Sequence, residues 1–151
     1  MISTIPGFTI FEYAFNFKLN IYSKVTNPGI VDIMPTLAHI LNITIPAKNA
    51  MEIDGISLID PVSLFDPQIN IFQQKLDVSW KSIDKTGYVK IWMSTKNEYA
   101  DIGKEDYILI GEVPISQHSA FLDISKYASN FYKVALEGKY NTVNKWFTMV
   151  K

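Results

Sequence analysis

Acid–base and metal chemistry in this 151-residue sequence would have to come from two histidines and fifteen aspartates and glutamates. His39 and His118 lie far apart, and no H-x-H, D-x-H or H-E-x-x-H spacing gathers ligands around either. His39 sits beside an apolar stripe and reads as a half-buried or surface histidine. His118 lies in Ser116-Gln117-His118-Ser119 and reads as a solvated turn residue. Asp32 and Asp54 have no second carboxylate at a useful spacing, so a general acid/base pair is not expected. Cysteine is absent, which excludes disulfides, thiolate metal sites and thiol nucleophiles. Glu98, Asp101, Glu105 and Asp106 could gather Ca²⁺. The ordered D-x-[DN]-x-[DN]-G loop is missing, however, and a solvated loop is the simpler reading. Tyr88, Trp92, Tyr140 and Trp146 could make a sugar-binding platform, so a glycan is a conceivable ligand, although sheet packing accounts for them more simply. No catalytic, cofactor-binding or metal-ligating residue is therefore assigned, and no cofactor is expected.

Charge narrows the partners. The formal net charge is −1, so no bulk positive field draws in nucleic acid or an anionic membrane. Every basic residue is lysine, and the bidentate clamp that only guanidinium provides is missing. No run approaches the roughly 18 apolar residues of a spanning helix. The first residues lack a basic stretch followed by a clean apolar run, so no signal peptide is expected, and nothing indicates a compartment. Asn42-Ile43-Thr44 is a formal glycosylation acceptor but reads as a chance tripeptide in a turn.

The elements that would position these residues fall into two textures. Phe11, Tyr13, Phe15, Phe17, Leu19 and Ile21 alternate with more polar neighbours, and this period of two predicts a half-buried strand over 11–21. Such a strand needs a paired edge and a covering layer. It could pair downstream, in another chain, or with a second copy. Asn27-Pro28-Gly29 signals a turn. Asp32 is placed to cap a short helix, with Pro35 in its first turn, an apolar stripe at Ile33, Leu37, Ile40 and Leu41, and Asn42 to end it. Asp60-Pro61 through Asp66-Pro67 reads as a linker dividing 1–66 from 67–151. Beyond it, about seven short strands are expected at Ile69–Gln73, Lys75–Trp80, Gly87–Thr95, Tyr107–Ile115, Ala120–Ile124, Phe131–Glu137 and Lys145–Val150. The fold class is thus mainly β: a seven-stranded antiparallel β-sandwich preceded by a small α+β segment with one long strand and one short helix.

Two resemblances attach to these textures. Asp32-Ile33-Met34-Pro35-Thr36-Leu37, followed by Asp54-Gly55-Ile56-Ser57-Leu58, resembles the C-terminal end of catalytic domains in the alkaline phosphatase superfamily, which includes the type I phosphodiesterases and sulfatases. The resemblance implies a metal-dependent phosphoryl or sulfuryl transferase whose nucleophile and ligands come from other, earlier motifs. Those motifs have no counterpart here. Only structural roles carry over: capping for Asp32, shaping of the first turn for Pro35 and Thr36, and a tight turn at Gly55. Leu76-Asp77-Val78-Ser79-Trp80, Leu122, and Tyr132-Lys133-Val134-Ala135 resemble a fibronectin type III domain, which implies the sandwich and says little of function. The expected function is the non-catalytic C-terminal portion of an alkaline-phosphatase-like phosphodiesterase or phosphatase, carrying a β-sandwich accessory module for docking or assembly. Its partner would be the missing catalytic domain. The alternatives are an assembly protein that adds strand 11–21 to a neighbour, and a carbohydrate-binding module.

Overall fold

The computed structural model describes residues 18–149. Most of the strand expected over 11–21 lies outside the described residues. Its last part does not continue as a strand, because Lys18–Asn20 belong to no element and Ile21–Val25 form a short helix, α1. The cause is local. The Asn20 side chain accepts the Ser23 N–H at 3.0 Å and caps α1, which outcompetes the alternation in Leu19 and Ile21.

A 3₁₀ turn over Ile30–Asp32 runs directly into α2, Ile33–Ile40. Asn42 follows in the left-handed conformation, with φ 54°, as a helix-ending asparagine can. A single helical turn, α3, spans Ala47–Ala50. The chain then runs through 53–57 outside any helix or strand.

Seven strands follow: β1 Leu64–Phe72, β2 Lys75–Ser82, β3 Tyr88–Ser94, β4 Ile108–Pro114, β5 Ser119–Asp123, β6 Phe131–Glu137 and β7 Thr142–Thr148. They form two antiparallel sheets, ordered β1-β2-β5 and β4-β3-β6-β7. The expected fold class, mainly β with a seven-stranded antiparallel β-sandwich, is what the structure shows; of the small α+β segment expected before it, the described residues form short helices. Between the sheets the inward positions alternate as the pleat requires. Leu76, Val78 and Trp80 of β2 meet Val89, Ile91 and Met93 of β3 and Tyr132, Val134 and Leu136 of β6 in one buried core. Trp80 satisfies its indole N–H on the Ile115 carbonyl at 3.2 Å. The Tyr132 hydroxyl accepts the Ser129 N–H at 2.8 Å, a corner that ties the start of β6 to the backbone just upstream.

β1 begins at Leu64, inside the stretch read as a linker. It carries Asp66-Pro67 at a register shift between Phe65 and Gln68. Proline is tolerated there because β1 is an edge strand and a bulge needs no ladder N–H. Asp66 adopts φ 53° and pairs with Lys81 at 2.7 Å. The β1–β2 hairpin turns on Gln73 and Gln74, both with positive φ. That is the primed geometry that matches strand twist, and it is built without the usual Asn-Gly.

Candidate functional site

The residues that carried the first resemblance converge on one backbone clamp. Asp32 is 2% exposed. Its Oδ1 accepts the Ile56 N–H at 2.7 Å and the Tyr22 hydroxyl at 3.3 Å, while Oδ2 accepts the Gly29 N–H at 2.8 Å. Thr36, one turn along, donates its hydroxyl to the Asp32 carbonyl at 2.6 Å and accepts the Leu58 N–H at 3.0 Å. Two side chains on one helix face thus hold alternate amides of the returning segment. Asn20 closes the other side: its Nδ2 donates to the carbonyls of Ser57 (2.7 Å) and Asp60 (2.6 Å), and its N–H to Leu58 O (2.8 Å).

Two sequence expectations are corrected here. Asp32 makes no side-chain bond to the first turn of α2. Because the 3₁₀ turn runs straight into α2, the Ile33 N–H already meets the Ile30 carbonyl, and the buried carboxylate takes the Ile56 and Gly29 amides instead. Gly55 does not serve a tight turn. A Cβ there would lie 1.9 Å from the Val31 carbonyl oxygen, so glycine is required for backbone-to-backbone approach.

Beneath the clamp lies a cleft of about 350 Å³ between α2, the 43–62 segment and the β6–β7 hairpin. His39 Nδ1 pairs with Asp60 Oδ1 at its wall, a contact by which a carboxylate can orient an imidazole. Ser57 lines the same cleft. Its Oγ accepts the amides of Ile59 and Asp60 at 3.4 and 3.3 Å. Among the described residues no hydrogen bond joins Ser57 to His39. His39 is surface-exposed, as expected, but its pairing with Asp60 was not foreseen, since the two meet only through the fold.

A second polar node seats the segment on the sandwich. Lys133 points out of the four-stranded sheet and pairs with Glu52, their side chains only 11% and 6% exposed. The Tyr107 hydroxyl donates to Glu52 Oε1 at 2.7 Å, and burial, followed by that hydrogen bond and the Glu52 charge, pushes the phenol pKa far above its ordinary value near 10. Asn144 donates to Ile53 O at 3.0 Å. Asn141 Oδ1 accepts the amides of Ser63 and Leu64 at 2.8 and 3.0 Å, while its Nδ2 donates to Leu64 O at 2.7 Å. Alternation does foretell that Lys133 points outward, but nothing in the sequence signals that Glu52 covers it.

The remaining candidates stay apart. His118 sits in a left-handed turn, φ 57°, with Nδ1 3.4 Å from the Ser82 hydroxyl. Asp54 is exposed. Of the acidic loop, Glu105 is not solvated. It is 5% exposed, accepts the Ser94 hydroxyl at 2.6 Å and receives the amides of Glu98 and Tyr99 at 2.9 and 3.2 Å. It thereby holds the start of a single helical turn, α4, Tyr99–Ile102. Asp106 and Glu98 are occupied by Lys104 and Lys96. Among the described residues no group of three or more His, Asp or Glu is arranged to hold a metal ion. Of the four aromatics, Tyr88, Trp92 and Trp146 stand on the outward face of the four-stranded sheet. Trp92 bonds Glu137 at 2.7 Å, Trp146 packs edge-on to Phe131, and Tyr140 lies in the β6–β7 turn.

Neither a protein-family model nor a curated protein matches the sequence. Two solved structures are similar in part. The spore cortex lytic enzyme SleM of Clostridium perfringens aligns with 61% of this chain and 29% of its own length, at 15% identity and a TM-score of 0.43. A computationally redesigned β-sandwich protein aligns over 56% of this chain and 86% of its own, at 20% identity and a TM-score of 0.39. Likenesses of that strength carry no functional argument. No described helix is long and apolar enough to cross a membrane.

Proposed function

We propose that this chain is a non-catalytic, C-terminal portion of an alkaline-phosphatase-like phosphoric ester hydrolase, with a fibronectin type III-like sandwich as its accessory module. The single observation that supports this reading is the clamp. Asp32, Thr36 and Gly55, the residues on which the resemblance rests, have interlocking structural reasons to stand where they do. A carboxylate holds the Ile56 amide, a hydroxyl holds the Leu58 amide, and a glycine lets the two backbones touch. A chance match of residue types would not be expected to mesh in this way. The three-plus-four strand order, the buried Trp80 and the Tyr132 corner support the fibronectin-like half.

On this reading the 18–62 segment is seated on the four-stranded sheet through Glu52, Lys133 and Tyr107, and the sandwich serves to dock or assemble the parent enzyme. The chain alone should not hydrolyse bis(p-nitrophenyl) phosphate with added Zn²⁺ or Mn²⁺. Measured turnover, lost on chelation and restored by metal, would refute the non-catalytic part. The ancestry is tested separately: the reading frame upstream of the gene segment should encode a nucleophile and Asp/His ligand motifs, and unrelated coding sequence there counts against it.

A further inference from the structure

The apolar stripe of α2 faces the wrong way for a helix serving only this chain. Its inward side is Asp32, Pro35, Thr36 and Ala38, all buried. The opposite side is Ile30, Ile33, Met34, Leu37 and Leu41, spaced i, i+3, i+4, i+7 and i+11 from the 3₁₀ turn to the helix end. These side chains are 42–83% exposed. Val31 and Ile43 flank them, exposed by 50% and 57%. A helix that is apolar outside and fixed inside by polar clamps is built to be covered on both sides.

From this face we infer a homodimer: two copies of this chain pair about a two-fold axis through the outward side of α2. Three observations favour a second copy as the occupant. The area is sufficient, since the stripe and its flanks expose on the order of 700 Å², close to the roughly 800 Å² each partner contributes to a standard interface. The stripe carries no charge, so bringing it against itself opposes no like charges. Its ridges, Ile30–Met34 and Leu37–Leu41, run along i, i+4 and can interdigitate with the same ridges of a copy. The clamp of Asp32, Thr36 and Asn20 already fixes α2 on its inner side, so pairing orders little new backbone. This inference does not rest on the hydrolase reading, under which the missing catalytic domain would be the competing occupant of the same face.

The chain has no cysteine, so single-cysteine variants report contacts without background. Met34→Cys or Leu37→Cys, near the middle of the stripe, should give a disulfide-linked dimer on mild oxidation, whereas Lys126→Cys on the exposed 125–127 turn should not. Sedimentation equilibrium should show a concentration-dependent dimer, and Leu37→Asp should weaken it at least 100-fold while leaving the far-ultraviolet circular dichroism unchanged. Should Leu37→Asp unfold the chain, Met34→Lys serves as the second probe. A single-chain mass up to hundreds of micromolar, with no cross-link at either position, overturns the pairing. Such a monomer with its stripe shielded from a hydrophobic dye would assign the face to another segment of the same chain. With the stripe open to the dye, it would assign the face to a different protein. In both cases the hydrolase reading is untouched.

Discussion

At the scale of single residues, the buried carboxylate of Asp32 carries more than any other side chain. Its replacement by alanine leaves the buried Ile56 amide without a partner, while the amide of exposed Gly29 can turn to water. An unsatisfied buried donor costs about 1–3 kcal/mol, so Asp32→Ala should lose about 1–3 kcal/mol in a urea titration. Asp32→Asn should lose less, because one acceptor oxygen remains. Equal losses in the two variants would mean that the carboxylate's acceptors are not what matters. Gly55→Ala should be as damaging for a different reason, since its methyl would have to occupy the space of the Val31 carbonyl. Tyr107 sets an alkaline limit. Its folded pKa is raised above the unfolded value near 10 by burial and by Glu52, and Tyr22 is raised in the same direction by burial and Asp32. A raised pKa contributes stability that is fully present below pH 10 and lost as pH climbs past it, when the unfolded phenol ionises first. Tyr107→Phe should cost about 1 kcal/mol at neutral pH and flatten the decline above pH 10. A slope unchanged by that substitution, followed by thermal melts across pH 9–11.5, would assign the decline to other groups.

At the scale of elements, the joint between the N-terminal segment and β6 depends on one nearly buried ion pair. Breaking such a pair from one side strands a charge and costs about 3–5 kcal/mol, whereas replacing both partners with apolar residues of similar volume can be close to neutral. Glu52→Leu alone should therefore destabilise the chain strongly, and Glu52→Leu with Lys133→Met should recover most of the loss. A double-mutant cycle measures this directly, and purely additive losses would show the pair to be uncoupled. The element-level reading also explains why some expectations transferred and others did not. The alternation of Leu76, Val78 and Trp80, and of Tyr132, Val134 and Leu136, was legible because each strand has the same two faces wherever it packs. The stripe of α2 was legible as a stripe, but not its direction. Periodicity says which residues share a face and is silent on which face meets the rest of the chain. Here the polar face won, because Asp32 and Thr36 can hold backbone amides that leucine cannot.

At the scale of the whole molecule, the segment and the sandwich should unfold as one. The Glu52–Lys133 pair, the Asn144 bond to Ile53, and Ile56 and Val62, which pack into the sandwich core, leave no seam at which the two can part cheaply. Amide exchange at Ile56 and Leu58 should track that of the β3 and β6 core amides. Exchange there faster by several orders of magnitude would reveal a separately opening segment.

The number of strands, the lack of thiol chemistry and the shortage of imidazoles could all be read from residue types and their spacing. Local rules govern them: a pleat has period two, and a missing residue cannot act. The pairings of Asp32 with Ile56, His39 with Asp60 and Glu52 with Lys133 join positions 21 to 81 residues apart in the chain, and no local rule reaches that far. They were decided when the chain closed on itself and each buried charge or amide had to find a partner among whatever neighbours the packing supplied.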